Sequence, residues 1–164
     1  VRCVLETGHN LFLVWLKGYR QGKEHEMREI SEIIVHCTAT PRGRDVDTKE
    51  IRRWHTEDNG WSDIGYHFVV ELDGDIGVGR PQEKSGAHCK GKNSTSIGVC
   101  YVGGVAENGT AEDTRTDEQK ASLETLLGLL KKSYPSAIIY GHRDFSDKAC
   151  PSFDAKSEYA HIGD

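Results

Sequence analysis

Residues 33–37 read Ile-Ile-Val-His-Cys, an apolar run that carries a histidine near its end and gives way to the polar turn Thr38-Ala39-Thr40. A run this short and this rich in β-branched side chains is a buried strand. The segments that follow supply its partners. Asp47 with Glu50 three residues on forms the start signal of a helix carrying Ile51 and Trp54 on one face, and Asn59-Gly60 stops it. Tyr66–Leu72, the turn Asp73-Gly74 and Ile76–Val78 predict a β-hairpin. Ser96–Val102 is a further strand, ended by Gly103-Gly104, and a polar loop leads to Thr116. There a capping box, Thr116 with Gln119, opens a helix with Leu123, Leu126, Leu127 and Leu130 at helical spacing. Ala137–Tyr140 is the last strand. Strands alternating with helices indicate α/β architecture, a single sheet with helices packed on its faces.

Residues 1–29 differ from the rest. They combine a short apolar patch, Leu11–Leu16, with the charged stretch QGKEHEMRE and no clear period. They read as an N-terminal extension, helical near Lys23–Glu29, with the domain proper covering 30–164.

At 164 residues the chain is one domain's worth, long enough to bury about two-thirds of the surface its unfolded form exposes. Its 21 Lys and Arg against 26 Asp and Glu give a formal charge of −5, with no basic cluster. Nucleic acid as principal partner is disfavoured, because phosphate binding needs concentrated positive charge. The five cysteines are odd in number and show no CxxC spacing, which argues for a reducing compartment rather than a disulfide framework. Leu11–Leu16 is far below the roughly 20 apolar residues of a membrane span. It also lacks the basic flank and cleavage site of a signal peptide, so synthesis in the cytoplasm without a leader is expected.

Three side chains stand out as soft-metal ligands: His36 at the end of the buried run, His142 just after the last strand, and Cys150 eight residues later in KACPSFD. Two imidazoles and one thiolate are the ligand set of a catalytic zinc site that leaves a fourth position open for water. Eight His and five Cys offer many other trios, and a histidine inside a strand is more often a packed residue than a ligand. Strand side chains alternate, so Cys37 faces away from His36 and, like Cys100, reads as core. Lys148 lies two residues before Cys150, where an ammonium favours the thiolate.

The strings EIIVHCTAT, EIRRWH, GWSDIGYHFVV, GAHCKGKNSTSIGVCYVGG and KACPSFD, taken in order, resemble the zinc-dependent N-acetylmuramoyl-L-alanine amidases of the phage lysozyme type. That superfamily also includes the animal peptidoglycan recognition proteins. The resemblance covers roughly residues 30–160. It implies a central mixed β-sheet flanked by helices, with zinc in a surface groove held by His36, His142 and Cys150. It further implies Tyr66 and Lys148 as catalytic helpers, and His88 and Lys90 in a loop bordering the substrate. The implied reaction is hydrolysis of the amide between N-acetylmuramic acid and L-alanine by zinc-activated water. A compact single domain without a leader suits a phage or prophage endolysin, expected as a monomer acting on the cell wall, with a bacterial autolysin or defence amidase as the alternative. Recognition-only relatives typically lack the cysteine ligand, so Cys150 favours an enzyme. The rival readings are a non-catalytic peptidoglycan-binding or regulatory protein on the same fold, and a cysteine hydrolase using Cys37 or Cys150 with His142. His67 is expected to face away from Tyr66, and Trp54 and Trp61 to be core or groove-wall aromatics.

Overall fold

Strand β1 (Glu32–Cys37) is buried along its whole length, and in this computed structural model, which describes residues 28–163, it has parallel partners on both sides. The elements that follow it are β2 (Thr40–Pro41), α1 (Thr48–Arg53), β3 (Phe68–Val70), β4 (Ile76–Val78), β5 (Ser96–Tyr101) and β6 (Gly104–Val105). Then come α2 (Asp117–Ser133), β7 (Ile138–Gly141) and α3 (Ala155–Glu158). The main sheet has the order β4–β3–β5–β1–β7, with β4 alone antiparallel. The expected mixed sheet flanked by helices is therefore present.

Pleating divides the strand side chains between two faces. Ile33, Val35, Cys37, Val99 and Tyr101 pack with Leu123, Leu126, Leu127 and Leu130 of α2 in the larger core. Both arms of the α2 capping box form, Gln119 N–H to Thr116 Oγ1 and Thr116 N–H to Gln119 Oε1, each at 3.0 Å. The same Gln119 amide donates to Val70 O and Val102 O, so the signal that starts the helix also fastens it to the sheet. On the opposite face Val69 and Val102 pack with Val46, Ile51 and Ile64. The helical cover there is short. Asp47 caps α1 by accepting from Glu50 N–H at 2.8 Å. The chain then widens into a π turn, Trp54–Asp58, and Gly60 at φ +71° ends it.

Some elements differ from the sequence reading. The first hairpin arm is Phe68–Val70 rather than Tyr66–Leu72. Beyond Val70 the chain enters the turn, where Glu71 N–H donates to Asp75 O at 2.8 Å and Glu71 O accepts from Gly74 N–H at 2.9 Å. The Glu71 carboxylate accepts from Thr48 N–H and Thr48 Oγ1 at 2.9 and 2.7 Å, joining the hairpin to α1. The small parallel pair β2–β6 and the single turn α3 were not anticipated. Two or four residues are too few to show a period.

The apolar patch Leu11–Leu16 and nearly all of the segment expected as an extension lie outside the described residues. Arg28 is described, and it is bound into the domain two residues ahead of the expected boundary. Its guanidinium donates to the carbonyls of Gln82, Asn93, Ser94 and Ser96 at 2.8–3.2 Å.

Candidate active site

His36 projects from the end of β1 onto the face with the short helical cover, beside Cys100 in the strand register. His142 opens a 3-10 turn, His142–Asp144, directly after β7. Cys150 follows in the next loop. Three hydrogen bonds hold this arrangement: Gly141 N–H to Asp144 Oδ2 at 2.8 Å, Arg143 N–H to Cys150 O at 2.7 Å, and Tyr101 Oη to Pro151 O at 2.7 Å. A Cβ on Gly141 would come within 2.8 Å of Pro151 Cδ, so the close approach of the two segments requires glycine there. As a result His36, His142 and Cys150 present one ligand atom each, all within 4.8 Å of one another. His36 Nδ1 lies 3.8 Å from Cys150 Sγ, and the two imidazole centroids are 4.6 Å apart.

The electrostatics suit a cation. Burial holds His36 well below the usual histidine range, with the neighbouring His88, His142 and Lys148 adding to the effect. Burial and then the Lys148 charge lower His142 as well. Both imidazoles are thus neutral at pH 7 and keep a lone pair for a metal. The Cys37 and Cys150 thiols interact directly, and two negative charges at that spacing are disfavoured, so ionisation of one raises the other. The contact with Cys150 holds the Cys37 thiol down to about 7 and pushes Cys150 up, and the main-chain N–H of Cys37, which donates to Cys150 Sγ at 3.2 Å, offsets part of that rise. Cys37 itself packs in the larger core with its sulfur turned toward Ser152.

Tyr66 stands over His36 with ring centroids 5.3 Å apart. Burial, reinforced by Cys100 and Cys150, pushes its phenol well above its usual value. Lys148 is exposed, and its charge is felt at both imidazoles. Lys90 is exposed on the neighbouring loop. His88, expected at the substrate border, is half-buried with its Nδ1 2.8 Å from His36 Nε2. The sequence carried no sign of this contact, which spans 52 residues. His67 faces away from Tyr66: its Nε2 donates to Lys84 O and its Nδ1 accepts from Gly98 N–H, both at 2.9 Å. Trp54 packs against the smaller core, whereas Trp61 is exposed and stacks on His55 at 4.7 Å. Cys100, read as core, is fully buried beneath Tyr66.

Residues 26–153 match the protein family described as N-acetylmuramoyl-L-alanine amidase. The chain belongs to this family. The amidase is 48% identical over 127 residues to the endolysin of Enterobacteria phage K11, covering 77% of this chain and 83% of that protein. It is 49% identical over 129 residues to the endolysin of Klebsiella phage KP32, covering 79% and 85%. Among solved structures, the amidase LysC of Clostridium intestinale superposes with a TM-score of 0.67 at 29% identity, covering 80% of this chain and 82% of that one.

Proposed function

We propose that this amidase hydrolyses the bond between N-acetylmuramic acid and L-alanine in peptidoglycan, as a phage endolysin, with one zinc ion held by His36, His142 and Cys150. The convergence of those three side chains carries the reading: segments 114 residues apart bring two neutral imidazoles and a thiol to within 4.8 Å. The donor set fits zinc, since such sites take nitrogen and sulfur ligands and keep one position open in catalysis. When bound, zinc supplies a water whose pKa falls to about 7 and a Lewis acid for the scissile carbonyl.

The chain's own residues do the remaining work. The Lys148 ammonium, whose field reaches both imidazoles, stabilises the negative charge that develops on the carbonyl oxygen of the substrate. The Tyr66 phenol keeps its proton at neutral pH because burial raises it. It therefore serves as a hydrogen-bond donor that orients the reacting groups beside His36. Lys90, exposed on the adjoining loop, contacts the glycan or the stem peptide. The phage endolysins among the relatives support action on the bacterial wall, and among the described residues no helix is long and apolar enough to cross a membrane.

Zinc content and release of dye from labelled walls test the reading together. The purified protein should hold about one zinc per chain, and Cys150→Ala should lose both metal and lysis. A Cys150→Ala variant that retains its zinc would overturn the ligand set. Lysis unaffected by a chelator that has stripped the metal would overturn the mechanism.

A further inference from the structure

We infer that His88 is a positioning residue that fixes the tautomer and orientation of His36, through a hydrogen-bond chain whose direction is set by a single carbonyl. The inference rests on the reading of His36 as a metal ligand.

The chain runs from Lys92 to His36. Ser96 Oγ lies 2.7 Å from Lys92 O. A carbonyl oxygen only accepts, so the one hydroxyl proton of Ser96 is committed to it. The hydroxyl oxygen is then an acceptor for His88 Nε2, 3.2 Å away. With its N–H on Nε2, neutral His88 offers Nδ1 as a lone pair. His36 Nε2, 2.8 Å from that atom, must donate. Its own remaining nitrogen, Nδ1, is left bare, and this is the atom 3.8 Å from Cys150 Sγ. Reversing any link would place a hydrogen on His36 Nδ1 and close it to a metal.

The relay is built into the packing. The His88 ring lies edge-on to His36, with an interplanar angle of 88°. It occupies space that side chains at two glycines would fill: a Cβ on Gly98 would approach His88 Cδ2 to 2.6 Å, and one on Gly86 to 2.5 Å. Gly98 sits in the middle of β5, where a β-branched residue would otherwise suit the buried strand. The loop behind the ring is held in turn, since Asn93 Oδ1 accepts from the N–H groups of His88 and Cys89 at 2.8 and 2.9 Å. Ser96 is fully buried, so water does not compete for its proton.

Two measurements on the whole protein test this. In the zinc-free protein, nitrogen-15 NMR should find the His36 proton on Nε2. In a chelator competition, His88→Ala should bind zinc about 10- to 100-fold more weakly, the range found when partners behind a ligand are removed. His88→Asn places an amide oxygen where Nδ1 was and should regain most of the affinity. Ser96→Ala, a change small enough to leave the fold intact, should weaken zinc binding several-fold and mix the two His36 tautomers. Wild-type affinity in all three variants, with the His36 tautomer unchanged, would overturn the inference while leaving the metal centre standing. A wild-type protein that binds no zinc would overturn both. Should His88→Ala fail to fold, Ser96→Ala and His88→Asn still decide the matter.

Discussion

Arg28→Ala in the full-length chain tests whether the domain begins before Ile30. The guanidinium gathers four carbonyls that are far apart in sequence: Gln82 through Nε at 3.1 Å and Nη2 at 2.8 Å, Asn93 and Ser94 through Nη1 at 3.1 and 2.9 Å, and Ser96 through Nη2 at 3.2 Å. Hydrogen bonds from a charged donor contribute roughly 1.5–3 kcal/mol each when well buried. These are partly buried or exposed, and water can reach several of the carbonyls once the arginine is gone. The loss is therefore well below the sum, about 3 kcal/mol. For a domain of this size that corresponds to a fall in Tm of about 6–12 °C. Arg28→Lys should recover less than half of it, because an ammonium is a point donor and cannot span the fork. Urea and thermal unfolding at pH 7, followed by far-ultraviolet circular dichroism on metal-stripped protein, measure the effect without the stabilisation that a bound ligand adds. A chain starting at Ile30 should lose at least as much as Arg28→Ala. A loss below about 1 kcal/mol in Arg28→Ala would refute the reasoning and return the boundary to Ile30.

Lys148→Ala should keep its zinc and lose turnover by a factor on the order of 100 to 1,000, the usual effect of removing one donor to a developing oxyanion; undiminished wall lysis would assign that charge to the metal alone. His67 should make stability fall with acid. Burial lowers it to about 4 in the folded protein, against about 6.5 unfolded, so between those values the unfolded chain binds more protons and folding weakens as pH drops. The loss is fully absent above pH 7 and reaches roughly 2 kcal/mol by pH 5; an identical pH slope in His67→Asn, measured by urea unfolding, would count against it. Arg115→Met should cost about 2–3 kcal/mol, reduced from the range for a buried pair because its carboxylate partners are partly exposed. Arg115 is 2% exposed at its side chain, pairs with Asp113 and Glu158, and stacks on Phe153 at 3.4 Å; unchanged urea unfolding would refute that role.

Much of the fold was legible because it rests on local rules. The β-branching of Ile33–Cys37, the Thr116–Gln119 capping box and the leucine spacing of α2 each act within a few residues, and each element stands where it was expected. Alternation along a strand was enough to turn Cys37 away from His36; His67 also faces away from Tyr66, although both lie ahead of β3. The types of the three ligand candidates were equally visible, although composition alone left many trios open.

What the sequence by itself determined, then, was the menu of strands, helices and chemically able side chains. Tertiary structure decided which of them meet. His36 and Cys150 are 114 residues apart, and no local rule orders that contact; it follows from β1 and β7 lying side by side in the sheet. His88 looked like a loop residue facing the substrate and became the partner of His36, because two glycines leave room for its ring against β5. Arg28 looked like part of a charged extension ahead of the domain and is a clamp, because the carbonyls it binds converge only after the 82–96 segment has folded back on itself. Short-range patterns arise from backbone geometry that every chain shares. Long-range contacts depend on which surfaces the completed sheet brings within a few ångströms, and that is a property of the whole fold.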